Sequence, residues 1–358
     1  MFPDRSEPVG GAPGNADPLG ASGQLLHPPL EPYAHGLMET GDGHFVYFEE
    51  CGNPRGLPVV VLHGGPASGC SPLQRRFFDP AAFRIVLFDQ RGCGRSTPRG
   101  GLAGNDTPAL LRDIEQLRRR LGIPRWIVFG GSWGASLAIA YAADHLAACS
   151  AVILRGTFLT GSRDLDWFFG GAGTLLPTAW QKLVARIGLQ LALDECEHAG
   201  HAVLAMLQRR LDSDDEAIAG AAAAAWARWE DCVSRPGTGA PATATSADTN
   251  AAAPPATLPP SSRDMLDKYR VQAHYLARQC FLGEDRLLSL AGRLHSLPVH
   301  LVHGRLDWVC RPVNAWRVHR AIPGSHLTWV DQGGHNPSEP TMLRALGHAI
   351  REVQDRLR

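Results

Sequence analysis

The chain has 358 residues, enough for one large core or a core joined to a second, smaller unit. Lysine plus arginine and aspartate plus glutamate both number 35, so the formal net charge is +0. With no basic run either, the sequence excludes an electrostatic footprint for nucleic acid or an anionic membrane. No apolar stretch is long enough to span a bilayer. The N-terminus, Met1-Phe2-Pro3-Asp4-Arg5-Ser6, lacks the basic region and apolar core of a secretory leader, and this points to the cytoplasm.

In chain order, residues 1–27 are rich in Gly, Pro, Ala and Asp and read as a flexible tail. Short β-branched or aromatic runs then alternate with helical patterns. Strands are expected at Pro58–Leu62 and Arg84–Phe88, a helix at Thr107–Leu121, a strand at Trp126–Phe129, a helix at Ala135–Ala143 and a strand at Ala151–Leu154. From about Phe158 to Leu287 the alternation stops. That stretch holds amphipathic helices at Leu183–Leu193, Ala202–Leu211, Glu216–Asp231 and Arg263–Cys280, interrupted by a simple, Pro- and Ala-rich segment at 234–262 that reads as a disordered insertion. Alternation resumes with strand Pro298–Val302, helix Val313–Ala321, strand His326–Val330 and helix Thr341–Leu357. The pattern specifies an α/β chain: a mostly parallel, doubly wound sheet built from 28–157 and 288–358, with 158–287 inserted as a helical cap.

The eight cysteines show no C-x-x-C pair and read as free thiols and small core residues. Cys196, His198 and His201 lack a fourth ligand at the usual spacing, so no metal and no cofactor is expected.

Three motifs carry chemistry. The first, Gly130-Gly131-Ser132-Trp133-Gly134, sits between a strand and a helix, the context in which G-x-S-x-G exposes a nucleophilic serine on a sharp turn. The second is His63-Gly64-Gly65-Pro66 after an early strand. Its glycines let backbone N–H groups approach a substrate oxygen, so Gly65, with Gly64 as the alternative, and Trp133 are the expected oxyanion donors. His63 is read as shaping that loop. The third pairs His303-Gly304-Arg305-Leu306-Asp307 with Gly333-Gly334-His335, each after a late strand. The order Ser132, Asp307, His335 is the one this class of site uses. Asp331 is a rival acid, too close in sequence to His335 to be favoured, and His303 a rival base that is expected to pack at its strand end.

With these residues in place, the sequence resembles the proline iminopeptidase (prolyl aminopeptidase) family of α/β-hydrolases, peptidase family S33. The resemblance runs from about Pro29 to the C-terminus. It is carried by His63-Gly64-Gly65-Pro66, Asp89-Gln90-Arg91-Gly92-Cys93-Gly94-Arg95-Ser96, the G-G-S-W-G form of the elbow, Leu154-Arg155-Gly156, Asp166-Trp167-Phe168, Trp226-Ala227-Arg228-Trp229-Glu230 and Gly304-Arg305-Leu306-Asp307-Trp308-Val309-Cys310. It implies an α/β-hydrolase fold with an inserted helical cap and metal-free release of N-terminal proline from short peptides. It also implies that Glu230 anchors the cationic imino terminus, that Arg155 lies near that site, and that Cys310 sits in the acid loop. Asp89 and Arg95 are read as support beneath the site.

Two departures stand out. Where the family carries a second cap carboxylate, this chain has Gln272, which keeps a hydrogen-bond acceptor and loses the charge. The family's H-G-G-P-G is broken by Ala67. Two other functions therefore stand beside the aminopeptidase: an esterase or amidase with relaxed N-terminal selection, and a non-catalytic, hydrolase-like ligand sensor. The intact Ser–Asp–His set argues against the sensor.

Overall fold

The computed structural model describes residues 25–234 and 260–358. The expected tail at 1–27 and insertion at 234–262 lie outside the described residues except at their margins. At the first margin, Leu25, Leu26 and Leu30 pack against the sheet and the His27 N–H donates to the Arg76 carbonyl at 3.0 Å, so packing begins before residue 28.

Eight strands make one sheet in the order β1-β2-β4-β3-β5-β6-β7-β8. They are β1 (Ala34–Glu39), β2 (Phe45–Gly52), β3 (Leu57–Leu62), β4 (Phe83–Phe88), β5 (Trp126–Gly131), β6 (Cys149–Arg155), β7 (Val299–Gly304) and β8 (His326–Val330). β1 and β2 pair antiparallel with each other, and β2 with β4; every later pairing is parallel. The parallel strands read as unbroken apolar runs because both faces are buried. Val60, Leu62, Val128, Val152 and Leu154 feed one face, while Val59, Val61, Ile127, Phe129, Ala151 and Ile153 feed the other.

Four helices cover the first face: Thr107–Arg120, Trp133–Asp144, Glu284–Gly292 and Pro312–Ala321. Pro340–Leu357 lays Met342, Leu346, Ile350 and Val353, one helical stripe, on the second. Each aliphatic side chain buried this way contributes roughly 1.5–3 kcal/mol.

The six expected strands are present, with ends displaced by a residue or two. β1 and β2 were not anticipated. In β1 only Met38 is buried, so its sequence, AHGLME, carries almost no apolar signal.

Between β6 and β7 the described residues contain helices and no strand, and they form a hydrophobic cluster of their own around Phe169, Trp180, Leu204, Leu207, Trp226 and Trp229. The helix Pro260–Leu276 bridges the two regions: Tyr269 and Ala273 enter this cluster, Val271 and Tyr275 the main core. Two helix boundaries differ from expectation for local reasons. The helix expected at Leu183–Leu193 runs Pro177–Arg186, because Pro177 suits a first turn and Gly188, at φ +77°, leaves the helical region just past the end. The helix expected to reach Cys280 stops at Leu276, and Gln279, Cys280 and Phe281 turn through left-handed conformations.

Candidate active site

The motif residues lie at the carboxyl ends of the parallel strands: Gly64 and Gly65 after β3, Ser132 after β5, Asp307 after β7 and His335 after β8. In open α/β sheets this edge is where ligands bind. Ser132 has φ +58° and ψ −123°, a conformation costing a non-glycine residue on the order of 1–3 kcal/mol. The flanking glycines make the turn possible: a Cβ on Gly130 would strike the Gly134 carbonyl, and one on Gly134 the Leu62 carbonyl. The Ser132 N–H donates to the Arg155 carbonyl at 2.8 Å, pinning the elbow to β6. The helix Trp133–Asp144 starts at the next residue, so its first N–H groups have no intrahelical acceptor.

The residues expected as acid and base are already paired. His335 Nδ1 lies 2.8 Å from Asp307 Oδ2, while Asp307 Oδ1 accepts the N–H groups of Val309 at 3.0 Å and Cys310 at 2.8 Å. Burial pushes the Asp307 carboxyl up, but the His335 imidazole and its hydrogen bond, His303 and the Cys310 N–H together outweigh it, and the group is held below its ordinary value. A carboxylate at this place requires the His335 proton on Nδ1, which leaves the Nε2 lone pair free.

His303 is fully buried with both ring nitrogens engaged. Nδ1 accepts the Thr157 N–H at 3.1 Å, so Nε2 donates to the Cys310 carbonyl at 2.9 Å. Burial lowers its pKa, and it ties the acid loop to β6 as a neutral imidazole. Asp331 is instead spent in an exposed pair with Arg305 at 2.6 Å.

Ser132 and His335 line one cavity of about 380 Å³ with Gly64, Gly65, Glu230 and Gln272. The polar neighbour of Ser132 Oγ is Cys310 Sγ at 3.8 Å, a thiol that burial pushes well up and keeps protonated. A Ser132–His335 hydrogen bond is not among the contacts of the described residues. Bonds of this kind commonly tighten only with substrate in place.

The loop after β3 is fixed from beneath. Gly65 takes φ +114°, and His63 uses Nδ1 to donate to the Gly64 carbonyl at 2.9 Å and Nε2 to accept the Gln90 N–H at 3.0 Å. Burial lowers the His63 pKa, so this ring too is neutral and structural. The Gln90 side chain donates to the His63 carbonyl at 2.9 Å and accepts the Trp133 indole N–H at 2.8 Å. Asp89 accepts from the Cys70 N–H at 2.7 Å and from the Arg95 backbone and side chain at 2.8 and 2.9 Å. Gln90 belongs to a motif visible in the sequence, but its reach to residues 63 and 133 had no local signal.

The helical side of the cavity is built differently. Trp226 meets Phe169 edge to face and lies against Tyr269 at a tilt, and the Trp229 indole donates to the Phe168 carbonyl at 2.8 Å; together they seat the helix Glu216–Ser234 so that Glu230 borders the cavity. Glu230 accepts from the Tyr269 hydroxyl at 2.8 Å and from Lys268 at 3.2 Å, and stays partly exposed. Gln272 is 5% exposed, and its Oε1 has no hydrogen-bond partner among the described residues. Arg155 also lines the cavity, but its guanidinium donates to the His335 carbonyl at 2.8 Å, a contact that steadies the loop carrying His335. Cys196 is buried in the helical cluster, while His201 faces Asp166 at 4.0 Å.

Fold and site define the class: an α/β-hydrolase. Residues 58–340 match the family model described as alpha/beta hydrolase fold. The chain is 43% identical over 328 residues to a proline iminopeptidase of Xanthomonas citri, covering 91% of this chain and 98% of that protein. It is 38% identical to a proline iminopeptidase of Arabidopsis thaliana, covering 88% of this chain and 79% of the other. The chain therefore belongs to the proline iminopeptidase family, as its motifs led one to expect. Among solved structures, a proline iminopeptidase from Mycobacterium smegmatis superposes with a TM-score of 0.55 at 17% identity, over 91% of this chain and 100% of that one. An esterase from Exiguobacterium antarcticum does so at 0.54 and 18%, over 89% and 99%. At these identities the structural likeness speaks for the fold alone.

Proposed function

We propose that the protein is a serine aminopeptidase that releases N-terminal proline from short peptides through an acyl-enzyme. The observation that carries the reading is that the Ser132 elbow, His335 backed by Asp307, and the polar pair Glu230 and Gln272 all border a single cavity. In this reading 28–157 and 288–358 form the catalytic unit and 158–287 a cap that selects the substrate. The eight cysteines are free thiols, which fits the reducing cytoplasm.

The substrate's imino cation is held by the Glu230 carboxylate, and the Gln272 carbonyl accepts its second N–H. Ser132 Oγ attacks the prolyl carbonyl while His335 Nε2 takes its proton. Asp307 fixes the tautomer and stabilises the imidazolium. The carbonyl oxygen becomes an oxyanion and is met by the N–H groups of Gly65 and Trp133. His335 then protonates the leaving amine, the C–N bond breaks, and prolyl-Ser132 remains. Water, deprotonated by His335, cleaves this ester to proline and the free serine.

Paired assays on prolyl-naphthylamide and its N-acetyl derivative test the reading. The free amine is expected to be hydrolysed at least about 30-fold more efficiently, the worth of one desolvated charge-assisted pair. Equal turnover of the two would assign the protein to esterases and amidases without N-terminal selection.

A further inference from the structure

We infer that Gln90 is a positioning residue that locks the two oxyanion donors to each other; the inference rests on the reading of Ser132 as nucleophile with Gly65 and Trp133 as donors. Those donors come from separate parts of the chain. One sits in the loop after β3 and the other opens the helix after β5, and pairing between these two strands ends at Leu62 and Gly130, short of both donors.

Gln90 closes that gap with one side chain. Its Nε2 donates to the His63 carbonyl at 2.9 Å, the peptide just before the glycines, and its Oε1 accepts the Trp133 indole N–H at 2.8 Å. Its own backbone N–H donates to the His63 ring at 3.0 Å. The amide orientation is forced by chemistry: an indole N–H only donates and a carbonyl only accepts, so oxygen must face Trp133 and nitrogen must face residue 63. Gln90 is 2% exposed, and His63 and Trp133 are 1% and 0% exposed. Water therefore does not compete for these bonds.

The Trp133 ring is held further by an edge contact with Tyr275, 5.4 Å between centroids. Its indole thus serves as a lever on the backbone N–H of the same residue. An oxyanion hole acts only when its donors are aimed at the position the oxygen will occupy, and a displacement of about 1 Å can cost on the order of 100-fold in rate. Gln90 is not among the residues that line the cavity, so its contribution is expected in the transition state and not in ground-state binding.

The experiment compares the wild-type chain with Gln90→Leu, which removes both bonds, and Trp133→Phe, which removes only the indole bond. Each is measured for kcat and KM on prolyl-naphthylamide, for inhibition by prolinal, whose hemiacetal with a serine presents an oxyanion, and for inhibition by free proline. Gln90→Leu is expected to lower kcat by about 10–100-fold with KM within about 3-fold, to weaken prolinal by a factor parallel to kcat/KM, and to leave proline inhibition unchanged. Trp133→Phe is expected to show the same signature with a smaller loss.

Parallel loss of prolinal and proline affinity in either variant, or an unchanged kcat, would overturn the inference. If Gln90→Leu does not fold, Trp133→Phe carries the test alone. A fluorophosphonate label on wild-type protein separates the two levels of failure. Label on Ser132 with no kinetic signature in the variants sinks only the role of Gln90, whereas label elsewhere sinks the nucleophile itself.

Discussion

The two sides of the cavity are built on opposite terms. On the sheet side, His63, Gln90, His303 and Asp307 have their polar atoms engaged by backbone groups, by one another or by the Trp133 and His335 side chains, and each is at most 2% exposed. On the helical side, Gln272 Oε1 is buried without a partner among the described residues, and Glu230 shares its charge with Lys268 at the rim. Satisfied networks are rigid, while a buried unpaired acceptor costs about 1–3 kcal/mol until something fills it. In the proposed reading, bond-breaking belongs to a preorganised sheet edge and substrate choice to a region that substrate itself completes.

The comparison can be broken most sharply on the sheet side. Replacing Ser132 with Ala is expected to lower kcat on prolyl-naphthylamide by about 10⁴-fold or more. Retention of most activity would mean that another group attacks. On the helical side, Gln272→Glu supplies the carboxylate that the family pattern carries. It is expected to raise kcat/KM for free-imino substrates about 5–10-fold while leaving an acetyl ester within about 2-fold. A gain absent on the prolyl substrate would remove Gln272 from the imino site.

The smallest expected effect concerns the scaffold alone. Glu115, on the helix Thr107–Arg120, binds Arg118 at 2.7 Å, Arg119 at 2.7 Å and Tyr141 at 3.0 Å. The hydrogen bond from Arg118 leads, with Arg119 and Tyr141 assisting against burial, and the carboxyl is brought down to about 2. A depressed folded value means that its contribution is fully present above the unfolded value of about 4.3 and is lost as pH falls toward about 2. Glu115→Gln is therefore expected to reduce unfolding free energy by about 1–2 kcal/mol at pH 7, with the deficit shrinking below pH 4 and kcat unchanged. Urea unfolding at pH 7, 4 and 3 measures this, and a deficit constant across that range would assign it to packing.

How much of this was legible in the sequence followed from burial. Strands such as Val59–Leu62 and Trp126–Phe129 were visible because both faces are packed, and the G-x-S-x-G and late Asp and His motifs could be placed from their strand–loop context. β1 was invisible because an edge strand exposes most of its side chains, and β2 because it buries Glu49 and Glu50, held by Arg75 and Arg84, where a strand pattern calls for apolar residues. Glu230 was legible through two tryptophans whose packing on Phe168 and Phe169 sets the helix. The tie between residues 63, 90 and 133, the hold of Arg155 on the His335 carbonyl, and the unpartnered Gln272 Oε1 were not, because each depends on contacts between segments far apart in the chain.

The division of labour between the two sides is tested most directly by Glu230→Gln assayed on two substrates, prolyl-naphthylamide and p-nitrophenyl acetate, which has no amino terminus to anchor. The account requires KM for the prolyl substrate to rise about 10–100-fold while kcat/KM on the ester stays within about 2-fold. Equal losses on both substrates would contradict it, making Glu230 a support of the fold and leaving the helical side without its selecting charge.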